Sequence, residues 1–195
     1  MIIDAAHKLF AEHGYEAITM QAIADAAGVA VQTVYYLFGT KAALLSAVET
    51  HVVLGDRPAR SWRDAPWADE LAEISDPHEL IARFVAADTQ IKSRVSAFTV
   101  AVGPALARDP DSRARRQAGQ DEFFRFLVDR LAALAALRPG LTAGRAFDIL
   151  CVLNSLHNYV ELTSNHGWTP QDWQRWLIQV LTEQLVGGSV SPATR

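Results

Sequence analysis

The chain has one cysteine, no sustained apolar run and little net charge, and each shortage removes a class of protein. Cys151 has no second cysteine to pair with, so a disulfide scaffold is excluded and a reducing setting, the cytoplasm, is expected. The uncharged apolar stretch from Val95 to Ala107 is interrupted by Gly103-Pro104. It falls short of the roughly 20 residues a bilayer crossing needs, so no membrane partner is expected. Asp4 and Lys8 break up the N-terminus, which leaves no signal-peptide core. Disorder is excluded as the main state, because half of the 195 residues are hydrophobic and the formal net charge is only −4. Catalytic signatures are missing too: no GxSxG, no phosphate-cradling glycine loop, no GxGxxG behind a strand. Neither an enzyme nor a cofactor is expected.

What is present repeats at 3.6 residues almost throughout. Ile2, Ala6, Leu9 and Phe10 fall on one helix face, closed by Gly14. Thr19 caps a short helix over Met20–Ala27 that Gly28 ends; a second runs from about Ala30 to Tyr36; Thr40 caps a longer one from Lys41 to about Leu54, stopped by Gly55. Residues 55–76 carry Gly55, Pro58 and Pro66 among charges, and read as a connector with one helical turn near Asp69–Glu73. Cap-plus-proline devices follow at Asp76-Pro77 and Asp109-Pro110, Thr142 caps after Pro139-Gly140, and Thr169-Pro170-Gln171-Asp172 has the makings of a capping box. Helices are expected near 77–92, 95–107, 110–137, 143–165 and 170–186, ahead of a polar tail from Gly187 that frays. The expected fold is all-α with about nine helices, in two parts: 1–54 and 55–195.

Thr19 to Lys41, TMQAIADAAGVAVQTVYYLFGTK, is the informative stretch. Two short helices at a steep angle need a small residue where they approach, here Ala24, and a turn residue tolerant of the left-handed region, here Gly28. Ile23, Ala27, Val29, Val34 and Leu37 supply the seam. That is a helix-turn-helix, whose second helix turns its outer face to the DNA major groove. Val31, Gln32, Thr33, Tyr35 and Tyr36 form that face. Gln32 can read an adenine edge, Thr33 a phosphate or a thymine methyl, and the tyrosines phosphates and sugars. Lys41 opens a helix against the macrodipole, which fits a phosphate bound at that helix end, and Thr19 is placed to offer its hydroxyl in the same way.

These residues resemble the DNA-binding domain of the TetR family of bacterial transcriptional regulators. Phe10, Gly14 and Tyr15 match the family's F-x-x-x-G-Y/F; Ile23, Ala24, Ala27, Gly28 and Val29 match I-A-x-x-A-G-V. Thr33, Val34, Tyr35, Phe38, Lys41 and Leu44 match the recognition-helix run and the K-x-x-L that follows. The resemblance implies an all-helical homodimer paired through its last two long helices, a double-stranded DNA operator and an unknown small-molecule effector bound in the C-terminal part, the whole acting as a repressor. GWTPQDWQRWL at 167–177 is similar to a stretch of actinobacterial members. Family members also carry a basic arm ahead of the first helix. Here Met1 runs straight into it, and residues 1–50 hold two lysines against five acidic residues. Either upstream residues are lacking or binding relies on uncharged contacts, and the second case leaves room for a helical sensing protein with weak DNA binding.

Further along, Phe84, Asp88, Phe98, Phe123, Phe126, Asn154 and His157 can line an effector cavity, mainly apolar with a few polar points. A metal triad of His157, Glu161 and His166 is disfavoured, since Gly167 ends the helix and leaves His166 badly directed. Trp173, Trp176, Leu177, Val180 and Leu181 form one wide apolar stripe, and Leu153, Leu156 and Val160 a second face on the helix before it. Two such helices predict a twofold dimer interface. Arg113, Arg115 and Arg116 read as a solvated basic cluster.

Overall fold

The computed structural model describes residues 1–54, 62–107 and 110–186. Among them every regular element is helical. The first part of the expected connector, 55–61, the Asp109 cap and the tail lie outside the described residues. The chain divides into two compact units: residues 1–60 with 93–117, and residues 61–92 with 118–195.

In the first unit α1 (Ile2–His13) packs on α2 (Met20–Ala27) and α4 (Lys41–Leu54), and α2 packs on α3 (Val31–Phe38). The periodicity of α1 puts Ala6 and Phe10 in the core with Ile23, Ala24, Val34, Leu44 and Val48, all fully buried. Burying these side chains is what holds such short helices, which are marginal alone. Gly28 ends α2 at φ 67°, where an added Cβ would meet no atom within 4 Å. The Val29 amide reaches back to Ala24 O at 3.0 Å and the Gly28 amide to Asp25 O at 3.2 Å, which completes a Schellman turn.

Two helices each contribute to both units: α6 (Pro77–Ala107) and α7 (Pro110–Ala133). The sequence reading placed a break between 92 and 95, at Lys92-Ser93-Arg94. None occurs, because those polar side chains find partners without interrupting the helix. Lys92 pairs with Asp88 one turn back, and the Arg94 guanidinium donates to Val53 O at 3.1 Å. In the first unit Phe98 of α6 is buried edge-on against His7 at 5.4 Å, and Arg116 of α7 donates to both oxygens of Glu49.

The second unit holds α5 (Pro66–Glu73), a full helix where one turn was expected, with α8 (Ala143–Leu153), α9 (Leu156–Val160) and α10 (Pro170–Leu181). Its core joins Phe84, Phe124, Leu127, Leu131, Leu150, Trp173, Leu177 and Leu181. The expected helix over 143–165 is broken at Asn154. Ser155 caps a new start by accepting from the Asn158 amide, and the Asn158 side chain donates to Val152 O at 2.7 Å. Short polar side chains offer the backbone an alternative to continuing the helix, and here two of them take it. A π-helical turn, Glu161–Asn165, follows α9, and a second, Thr182–Val186, follows α10. Instead of reaching 137, α7 stops at Ala133 in another Schellman turn, with Ala135 at φ 52° in the position Gly28 holds in the first.

Candidate functional site

The geometry of α3 follows from how little of it the core takes. Val34 is the one residue of the helix that is buried, with Val31 and Phe38 half-buried beside it. Gln32 and Thr33 are exposed, Tyr35 is 52% exposed and Tyr36 89%. Leu37 was expected in the seam; at 57% exposure it lies outside it. Phe38, four residues after Val34, takes the seam position, so Leu37 joins the tyrosines on the outer face. Positions three and four after Val34 both lie near its face of the helix, and the core takes the fourth. Tyr35, Tyr36 and Leu37, spread round the outer half of the helix, put apolar surface and two hydroxyl tips outward.

Thr19 and Thr40 cap the helices on either side of this surface. Thr19 Oγ1 accepts from the Ala22 amide at 3.1 Å and Thr40 Oγ1 from the Ala43 amide at 3.0 Å, leaving each hydroxyl proton to donate outward. Lys41, in the first turn of α4, sets its ammonium 4.2 Å from the centre of the Tyr15 ring. Partial burial holds the amine below the ordinary lysine value, against the pull of the Glu16 carboxylate; burial also pushes the Tyr15 hydroxyl up. The cation is thus packed on an aromatic face near a helix N-terminus, a combination able to receive a phosphate.

Charge in this unit comes from distant sequence. Residues 1–50 are acidic, but with 93–117 included the unit holds nine lysines and arginines against eight aspartates and glutamates. Arg94, Arg113, Arg115 and Arg116 are among them. No reading of the motif alone could find these cations, because α6 and α7 bring them back from sixty residues away.

The expected effector residues do not form one group. Phe98 belongs to the first unit's core, against His7, whose imidazole burial holds below its ordinary value. His157 is exposed on α9. Phe84, Phe123 and Phe126 lie in or against the second unit's core, where Trp62 and Trp67 join them; Phe84 and Phe123 meet tilted by 30° at 4.4 Å between centres, and Trp62 sits 5.0 Å from both Phe123 and Phe126. Asp88 is buried in an ion pair with Lys92, whose amine is held below its ordinary value by burial. Asn154 is fully buried, and neither its side-chain oxygen nor its nitrogen has a partner.

The expected dimer face also divides. Trp173, Leu177 and Leu181 are fully buried in their own unit, the i, i+4 row that α10 turns to the core, and so present nothing to a second copy. Leu153, Leu156, Val160, Trp176 and Val180 are half-buried, and Val152 is 67% exposed. Glu161 and His166 approach to 3.3 Å, but the described residues contain no cluster of three groups able to hold a metal ion, and none of their helices is long and apolar enough to cross a membrane.

No curated protein matches the chain. Residues 2–48 match the model of the bacterial regulatory proteins of the tetR family. Among solved structures, SmeT, the repressor of the SmeDEF multidrug efflux pump of Stenotrophomonas maltophilia, is similar at 20% identity over 100% of this chain and 96% of its own, with a TM-score of 0.68. NalD, the secondary repressor of the MexAB-OprM pump of Pseudomonas aeruginosa, shares 21% identity over 95% and 94%, TM-score 0.67. FadR, the fatty acid degradation regulator of Bacillus halodurans, shares 18% over 92% and 95%, TM-score 0.66. The N-terminal helices are therefore a tetR-type helix-turn-helix, and the all-helical fold of such regulators extends along the chain.

Proposed function

We propose that the protein is a ligand-responsive, one-component transcriptional repressor of the cytoplasm, without enzymatic activity, that binds a pseudo-palindromic DNA operator as a homodimer. The outer half of α3, led by Tyr36, carries the reading: a large aromatic left 89% exposed beside capped helix ends and a packed cation suits a DNA backbone and groove. Thr19, Val31, Gln32, Thr33, Tyr35, Tyr36 and Lys41 are the contacts we assign, and Leu37 is added to them. Two copies pair through the surface left on α8, α9 and α10, namely Leu153, Leu156, Val160, Trp176 and Val180, and set their α3 helices about 34 Å apart to enter successive major grooves. Phe84, Asp88, Phe123, Phe126 and Asn154 face the effector. That ligand acts by preferring a conformation that cannot hold this spacing, since a ligand shifts an equilibrium only by its differential affinity. The similarity of the fold to repressors of efflux pumps and of fatty acid degradation supports the regulatory reading without naming the effector.

Binding of the purified protein to DNA upstream of its own and neighbouring genes, followed by anisotropy across a salt series, tests this. A saturable complex that weakens steeply with salt and is lost on changing Tyr36 and Lys41 together to alanine supports it. Normal binding by the double variant removes the residue assignment. The second reading, a helical ligand-binding protein with weak DNA affinity, is favoured by the acidic residues 1–50. A nearly flat salt series would select it.

A further inference from the structure

The amide of Asn154 is a costly thing to leave as it is. It lies at the junction of α8 and α9 with no solvent exposure, and both its oxygen and its nitrogen lack a hydrogen-bond partner. An unsatisfied buried donor or acceptor is destabilising, and an apolar side chain of like size would avoid that cost. The same unit buries the indole nitrogens of Trp62 and Trp173 and the Nε of Arg130 without partners. Buried polar groups ordinarily pair, so several exceptions within one unit call for a partner.

Two features say what kind. The chain after Asn154 is built of short pieces, the five-residue α9 and then a π-helical turn, tied back by the Asn158 bond to Val152 O and the Thr163 bond to Tyr159 O. So short a segment can shift to admit a guest at modest cost. The buried charges are Asp88 and Lys92, which neutralise each other. Arg130, half-buried, spends its guanidinium on Ile74 O at 2.9 Å, so a charged guest would find no fully buried counter-charge free to repay its desolvation. An amide offers one acceptor beside two donors, the complement of another amide edge.

We propose that Asn154 is the polar anchor of the effector site, and that the effector is an uncharged, mainly apolar molecule presenting an amide-like edge. This rests on the reading of the second unit as effector-binding. Three isosteric probes test it on the full chain: 2-naphthamide, 2-naphthoate and 2-naphthylmethylammonium, each at about 1 mM, where a shift in melting temperature reports binding. The neutral amide raises the melting temperature and the charged pair does not; Asn154→Leu weakens the amide about tenfold, as the loss of a pair of neutral hydrogen bonds does. Without probe, Asn154→Leu melts about 2–4 °C higher than the parent, because the unsatisfied amide is gone.

A charged probe that shifts as far as the amide, no shift with the amide, amide binding unchanged in Asn154→Leu, or a lower melting temperature for that variant alone each overturns the proposal. The last would make Asn154 a structural hub. DNA anisotropy with the same probes separates the two readings. Release by a charged probe alone would leave the regulator standing and sink the neutral class. Asn154-dependent amide binding with unchanged DNA affinity would do the reverse.

Discussion

The two units handle polar groups in opposite ways. In the first, no buried side-chain nitrogen or oxygen among the described residues lacks a partner: Thr19 and Thr40 cap helices, Arg116 grips Glu49, Arg94 reaches Val53 O. Apart from Met1, its large exposed apolar groups among the described residues, Tyr35, Tyr36 and Leu37, sit on one short helix. The second unit buries an ion pair, an unpaired amide and two unpaired indole nitrogens, and carries nine lysines and arginines against fourteen acidic residues, where the first carries nine against eight. A fixed interior behind a displayed surface suits a partner of constant shape, such as duplex DNA. An interior with unmet polar capacity and an acidic exterior suits neither a duplex nor a purely structural role; it suits a guest taken inside.

The largest test of that contrast is the buried pair. Asp88→Ala leaves the Lys92 ammonium buried and alone, and stability should fall by about 3–5 kcal/mol in urea titrations. Replacing both, Asp88→Leu with Lys92→Met, should return most of that or exceed the parent, since an apolar pair fills the site without desolvating charge. If Asp88→Ala is as stable as the parent, the second unit does not hold its charges in the interior and the contrast weakens.

On the other side, changes to the displayed surface should act on binding and leave folding alone. Tyr36→Ala should lower DNA affinity about tenfold while the urea midpoint stays put, because the ring touches little of its own unit. Lys41→Ala should weaken binding by a similar factor and reduce the salt slope by about one. A Tyr36→Ala protein that unfolds early would show that α3 is displayed less freely than its exposure implies.

How far these features could be read without coordinates depended on how local their causes are. The Thr19 cap, the Gly28 turn and the burial of Val34 are set by neighbours within one or two turns, and the sequence pattern reached them directly. Leu37 went astray because spacing cannot say which of positions three and four after Val34 a core will take. Asn154 and Phe98 show the longer-range limit. A capping serine after Asn154 halted a helix that apolar periodicity carried through, and Phe98 joined the first unit only because α6 runs unbroken past Lys92. The division of the apolar stripe on α10, with Trp173, Leu177 and Leu181 inside and Trp176 and Val180 at the edge, depends on what packs against it, which periodicity does not contain.

The two Schellman turns give a finer comparison, since they differ by one methyl group. Gly28 and Ala135 hold the same place, at φ 67° and 52°. A side chain in the left-handed region costs roughly 1–2 kcal/mol, and glycine gives back about 0.5–1 through its freer unfolded state. Gly28→Ala should therefore destabilise by up to about 1 kcal/mol without any clash, as open space surrounds the position, and Ala135→Gly should stabilise by a like amount. Opposite signs in urea titration are the expected result; equal signs would show that one of the turns is not held as described.

Smallest, and confined to acid, is the difference between the caps. Thr19 and Thr40 face alanines at the third helical position, Ala22 and Ala43, so each cap is a single hydroxyl bond. Thr169 faces Asp172: the Asp172 amide donates to Thr169 Oγ1 at 3.1 Å, and the Thr169 hydroxyl and amide donate to Asp172 Oδ2 at 2.6 and 2.9 Å. Those bonds, the hydroxyl's foremost, with Arg175 assisting, bring the carboxyl from 3.8 to about 2. Between these values the unfolded chain binds the proton and the folded one does not, so stability rises with pH across the interval. The contribution is complete above about 4 and fades as the solution is acidified toward 2. Every other carboxylate titrates nearby, so the measurement is the difference between the parent and Asp172→Asn. Their urea midpoints should converge as pH falls from 4 to 2, the asparagine variant being the less stable at the upper end. A constant gap would mean that the carboxylate's charge contributes nothing to the α10 start and that the hydroxyl cap alone holds it, as in the first unit.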